Sequence, residues 1–165
     1  MSTYYFDGSD AAVTDPNAVW TNEANAFDGS TATEASVATG GSTSSNYMFA
    51  EGTNAPSTGT SINLVKARIF GDGDASAATL VAAIYTDGLG ELLGSPSVNS
   101  ASNAWGSYTD LSTPTGGWTW AKVQALEVKA YASVISDTSG QIMRIEIEVY
   151  SDPYPSTIYR KQGFQ

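Results

Sequence analysis

The sequence predicts an all-β fold, an antiparallel β-sandwich of the jelly-roll kind, on three observations. Two stretches alternate apolar and polar residues with period two. In the first, Leu126, Val128, Ala130 and Ala132 oppose Glu127, Lys129 and Tyr131; in the second, Met143, Ile145, Ile147 and Val149 oppose Arg144, Glu146, Glu148 and Tyr150. Such strands are apolar on one side and wet on the other, as in an antiparallel sheet that packs one face on a core. About eight short strand candidates are separated by Gly, Pro, Asn and Asp turns, and no stretch has the period of an amphipathic helix.

Taken in order, Ser2–Phe6 is a short apolar strand or arm. Residues 7–33 are rich in Asp, Asn, Gly and Ala and read as loops with short extended pieces, anchored by Trp20. Residues 37–45 read as a loop or weak edge strand, 46–51 as a strand with Tyr47 and Phe49, and 54–61 as a turn around Pro56 and Gly59. Ile62–Phe70 is a strand with Val65, Ala67 and Ile69 inward and Lys66 and Arg68 outward. Thr79–Thr86 is apolar on both faces and reads as a central strand. Glu91–Leu93 and Trp105–Leu111 are short strands, and Trp120–Ala125 is a single helical turn. Leu126–Val134 and Ile142–Tyr150 are then expected to pair through the Ser136–Gly140 turn, with Glu127 and Lys129 facing Arg144, Glu146 and Glu148 as mixed-charge cross-strand pairs. The sandwich is expected to span residues 1–150, with 1–6 as a possible N-terminal arm and 151–165 as an extended C-terminal arm.

Composition excludes several classes of function. The 165 residues contain no cysteine and no histidine, which removes thiol chemistry and Ser-His or Cys-His nucleophile pairs. A net charge of −10 argues against nucleic-acid binding and suits a cation such as calcium. No apolar run reaches the roughly 20 residues that span a bilayer, so no membrane partner is expected. The start, MSTYYFDGSD, has neither a basic stretch nor an apolar core of a secretory signal. The expectation is therefore a complete small protein made in a host cytoplasm.

Three segments resemble known families. Asn25–Thr33, NAFDGSTAT, is similar to the A-x-D-G-x-x-x-T stretch of discoidin-like, or coagulation-factor C-type, β-sandwiches, and Arg144–Tyr150, RIEIEVY, resembles their closing strand. Glu34-Ala35 stand where those domains usually have Trp, and Ser30 stands at their second acidic position. Ala83–Ser95, AIYTDGLGELLGS, resembles a hairpin of jelly-roll domains in bacterial surface and phage proteins. The W-T-x-A-x-V-x-A-L-x-V run and the closing E-V-Y strand resemble small virion proteins of tailed phages. The resemblance implies a discoidin-like jelly roll and a place in a virion or on a surface. It also implies a structural calcium ion held by the Ala26 carbonyl, the Asp28 carboxylate, the Thr33 oxygen and the Glu146 carboxylate. Asp72 and Asp74 read as a plain acidic turn.

Trp105, Tyr108, Trp118 and Trp120 cluster near turns and are candidates for a sugar-binding platform, although Trp118 and Trp120, two apart on one face, also suit burial. No pair of carboxylates is marked for glycoside hydrolysis, and no enzyme is expected. The termini carry aromatic residues outside any sheet period: Tyr4, Tyr5 and Phe6 at one end, Tyr154, Ile158, Tyr159 and Phe164 with Arg160 at the other. These are expected to grip neighbouring subunits. The sequence thus reads as a non-enzymatic virion protein, a capsid decoration or tail component of a tailed phage, assembled as a homo-oligomer with other virion proteins. The alternative is a carbohydrate-binding module that recognises a cell-surface glycan.

Overall fold

A computed structural model describes residues 1–37, 46–73, 78–134 and 139–152. Within these residues the chain forms β1 (Ser2–Thr14), β2 (Trp20–Thr21), β3 (Ala35–Val37), β4 (Met48–Thr53), β5 (Ile62–Asp72), β6 (Ala78–Tyr85), β7 (Leu92–Gly94) and β8 (Ser97–Val98), then β9 (Ala104–Trp105), β10 (Thr109–Asp110), β11 (Glu127–Val134) and β12 (Gly140–Ser151). One helical turn, α1 (Trp120–Gln124), precedes β11, where a helical turn is predicted; the Thr119 hydroxyl caps it by accepting from Lys122 N. A 3₁₀ turn at Glu23–Phe27 lies in the segment expected to be loop.

Two antiparallel sheets face each other. In the front sheet β12 lies between β5 and the first half of β1, and β9 and β10 extend it beyond β5. In the back sheet β4 pairs with the second half of β1, β11 lies between β4 and β6, and β7 and β8 close the far edge. After β1 the long strands β4, β5 and β6 alternate between the sheets, β11 returns to the back sheet beside β6, and β12 completes the front sheet, giving a jelly-roll sandwich. β1 belongs to both sheets, and Phe6 sits at its crossing, fully buried.

The predicted inward sets of β5, β11 and β12 meet across this gap, joined by one face of β6. Val65, Ala67, Ile69, Ile145, Ile147 and Val149 from the front face Leu80, Ala82, Ile84, Val128, Ala130 and Ala132 from the back, in one core cluster. At about 25 cal/mol per Å² of apolar area, this burial is the main stabilising term. Trp20 anchors its loop as predicted: the ring is buried and Nε1 donates to the Asn46 carbonyl at 3.1 Å.

Three expectations are corrected. β11 and β12 do not pair. Each has one apolar face, and the two faces meet across the core instead of lying side by side in one sheet. The mixed-charge pairs expected between Glu127, Lys129 and the outer residues of β12 therefore do not form; Lys129 lies over the rings of Tyr47 and Tyr85. Second, Ile142 takes the core position and Met143 lies outside the core cluster, because a register shift between Ile142 and Arg144 breaks the alternation. Third, Tyr4, Tyr5 and Phe6 are not a free arm: Tyr4 and Tyr5 pair with β12, Phe6 pairs with Thr53 of β4, and residues 7–14, expected to be loop, continue the strand. At the other end Ser151 still pairs with Ile62, and Asp152 N donates to the Ser61 carbonyl at 2.9 Å. Tyr154, Ile158, Tyr159, Arg160 and Phe164 lie outside the described residues, as do Asp74 and most of the Ser136–Gly140 turn.

Candidate functional site

Two surfaces collect the residues singled out from the sequence. The first is the outer face of the front sheet. Tyr5, Glu146 and Arg68 stand in one cross-strand row. Glu146 is 4% exposed, and its carboxylate is surrounded by donors. Oε1 accepts from Arg68 Nε at 2.6 Å and from the Tyr108 hydroxyl at 2.8 Å, with Arg68 Nη2 at 2.5 Å; Arg144 Nε lies 3.3 Å from Oε2. A buried carboxylate is tolerated only when paired and hydrogen-bonded in this way. The Arg68 guanidinium is in turn packed between Trp105, 3.9 Å to the ring centroid, and Tyr108, 4.3 Å, and Trp105 also leans on Phe70. Burial, and then the Glu146 hydrogen bond and charge, push the Tyr108 phenol well above its ordinary value. Trp105 and Tyr108 thus each give a ring contact to Arg68, and both remain part-exposed.

The calcium ligand set does not assemble here. Asp28 Oδ1 accepts from Ser30 N at 2.7 Å and Oδ2 from the Thr33 hydroxyl at 2.5 Å, so the loop closes on its own carboxylate as a small Asx turn. Between that loop and Glu146 lies Arg144, whose Nη1 donates to the Gly29 carbonyl at 2.7 Å. Ala26 is buried. A divalent ion beside this guanidinium would meet like charge at short range. The residues present do not fit the ion, and the described residues contain no cluster of three or more His, Cys, Asp or Glu able to hold a metal.

The second surface lies at the other end of β5. A groove of about 340 Å³ runs between residues 57–62 and Trp118–Ala121, lined by Ser57, Thr58, Thr60, Ser61 and the Trp118 ring. Trp120 supports it from beneath. Its ring is buried, its Nε1 donates to the Thr60 carbonyl at 2.7 Å, and it meets Tyr4 edge-on at 5.9 Å. The chain passes close over Trp120 because residue 59 is glycine: a Cβ there would lie 2.2 Å from Nε1. Trp118, by contrast, is half-buried, and its indole N–H is shielded from solvent without an acceptor among the described residues. Thr119 between them is extended, and both tryptophans border the same groove.

The four aromatics predicted as one platform are therefore two pairs. Trp105 pairs across from Phe70, and the Trp118 groove borders Ile62; eight residues of strand at about 3.3 Å each separate the ends by roughly 26 Å. The hydroxyl-rich 57–61 segment reads from the sequence only as part of a turn; its Ser/Thr run around a glycine borders the groove.

A further pocket, about 490 Å³, lies beside α1 and is lined by Asp87, Glu91, Pro114, Thr115 and Lys122 among others. Its walls are braced from within: Gly88 N and Leu89 N donate to the buried Glu127 carboxylate, both at 2.6 Å, and Lys122 Nζ donates to the Thr115 and Gly117 carbonyls.

No protein-family model and no curated protein matches this chain. Among solved structures, the chain is similar to the CBM22-1–GH10 modules of endo-1,4-β-D-xylanase 10B from Clostridium thermocellum, a structure complexed with xylohexaose. The identity is 11%, the TM-score 0.49, and the match takes in 87% of this chain and 26% of that one, so the chain spans about a quarter of that structure's length.

Proposed function

We propose that this protein is a non-catalytic carbohydrate-binding module and that the Trp118 groove takes the sugar. The observation that carries the reading is a groove that joins the half-buried Trp118 to a run of Ser and Thr hydroxyls. An aromatic flank with convergent hydroxyls suits a sugar ring, apolar on its faces and polar at its rim. Trp120 is the post that holds the groove, and Gly59 permits its fit. The lining contains no charged side chain, which suits a neutral glycan.

The test is an array of neutral and acidic oligosaccharides, followed by tryptophan-fluorescence titration of the best binder. Trp118→Ala is expected to abolish binding. Trp118→Phe, which keeps a smaller ring, is expected to weaken it about tenfold, or ~1.4 kcal/mol. Failure to bind any glycan, or undiminished binding by Trp118→Ala, overturns the reading. A virion assembly role for the same fold rests on sequence resemblance and on the basic pair Arg160-Lys161 near the end of an acidic chain; its test is co-sedimentation with phage particles.

A further inference from the structure

We propose that Arg144 is the resident cation of the Asp28–Thr33 loop and makes this fold independent of calcium. Three contacts converge on its guanidinium. Nη1 holds the Gly29 carbonyl at 2.7 Å, Nε forms an ion pair with Glu146 Oε2 at 3.3 Å without hydrogen-bond geometry, and the guanidinium carbon lies 5.3 Å from the centroid of the Tyr5 ring. The side chain is 24% exposed, so most of it lies within the surface. One planar cation thus joins the loop, the first strand and the last strand. A calcium ion in the same place would use the same kind of partners, a backbone carbonyl and a carboxylate.

The surroundings fit a monovalent fork. Glu146 already neutralises one guanidinium, that of Arg68, and Asp28 spends both oxygens on its own loop. Tyr5 packs so closely under the loop that a Cβ at Gly29 would lie 2.5 Å from its ring, and Gly29 has φ +74°, a conformation that suits glycine. The loop is therefore shaped to bring its carbonyl to Arg144. Removing the guanidinium releases the Gly29 carbonyl and Glu146 Oε2 together, two hard oxygens of the type calcium takes.

The experiment combines thermal unfolding with amide exchange on the full chain and its variants, with calcium chloride as the probe and magnesium chloride and a chelator as controls. Wild type is expected to show the same melting temperature in chelator and in millimolar calcium. Arg144→Ala is expected to lose roughly tenfold protection at the Ser30 and Ala32 amides, and calcium, more than magnesium, is expected to restore part of that loss and raise the melting temperature. Arg144→Gln preserves the side-chain volume and is read in the same way if the alanine variant fails to fold. A calcium-dependent melting temperature in wild type overturns the proposal. So do variants with undisturbed loop protection, and so does a loosened loop that ignores calcium, which would make Arg144 an ordinary brace.

Discussion

Glu146 concentrates more interaction than any other charged side chain of the front sheet. Two guanidinium groups and a phenol hold a carboxylate that is 4% exposed. Replacing it by alanine leaves Arg68 and Arg144 facing each other without a counter-charge. Removing one partner of a buried pair costs about 3–5 kcal/mol; with both arginines about a quarter exposed, the lower end applies, and Glu146→Ala is expected to lose roughly 3 kcal/mol by urea unfolding. Tyr108 supplies the pH dependence. Its phenol is raised by burial and by Glu146, so the folded state keeps a proton that the unfolded chain releases near pH 10. A raised value means that its stabilisation is fully present below about pH 10 and is lost as pH rises toward the folded value. Stability is expected to be flat through neutrality on this account and to fall above about pH 10, with the fall reduced in Tyr108→Phe; a pH series of urea midpoints checks it.

At the scale of elements, two short turns border the two pockets. The 87–90 turn contains Leu89 at φ +49°, an unfavourable conformation for a side chain of that size. Glu127 holds it there by accepting from two successive amides. Glu127→Ala is expected to destabilise by about 1–3 kcal/mol and to speed amide exchange at Gly88 and Leu89. On the opposite side, Gly59→Ala drives a Cβ into the Trp120 indole. The ring must shift and surrender its bond to Thr60, so a loss of about 1–3 kcal/mol is expected. Glycan binding at Trp118 should fall with it, measured by the same fluorescence titration. If binding survives while stability falls, the groove does not depend on its Trp120 post.

For the whole molecule, the jelly-roll order makes almost every strand's partner distant in sequence. β12 pairs with β1, the two ends of the described chain, and β5 with β12 across some 80 residues of separation, as Ile69 with Ile145 shows. Non-local topologies of this kind fold in roughly milliseconds to seconds. A chain ending at Asp152 retains every described strand and the two bonds that seat Asp152 on Ser61 and Thr60. It is therefore expected to fold with an unchanged melting temperature. If residues 153–165 bridge subunits, as their aromatic content suggests, the same truncation lowers the oligomeric mass in sedimentation; an unchanged mass ends that idea.

Faces were legible in the sequence, and partners were not. Period two assigns Val65, Ala67 and Ile69, or Ile145, Ile147 and Val149, to the inside whatever lies next to them, because successive side chains alternate in any strand. Trp20 as an anchor and the helical turn at Trp120 were equally local. Which sheet each strand joins is not local. β11 and β12 carry the pattern of a hairpin and are separated into opposite sheets, because two apolar faces can be satisfied across a core as well as side by side. The same step decides the candidate sites. Four aromatics adjacent in sequence become two groups at opposite ends of β5, and Arg68 reaches Glu146 only because β5 and β12 are neighbours. The Asp28 loop was visible as a turn from its residues alone. That Arg144 reaches it depends on where the last strand lies, and only the tertiary structure places it there.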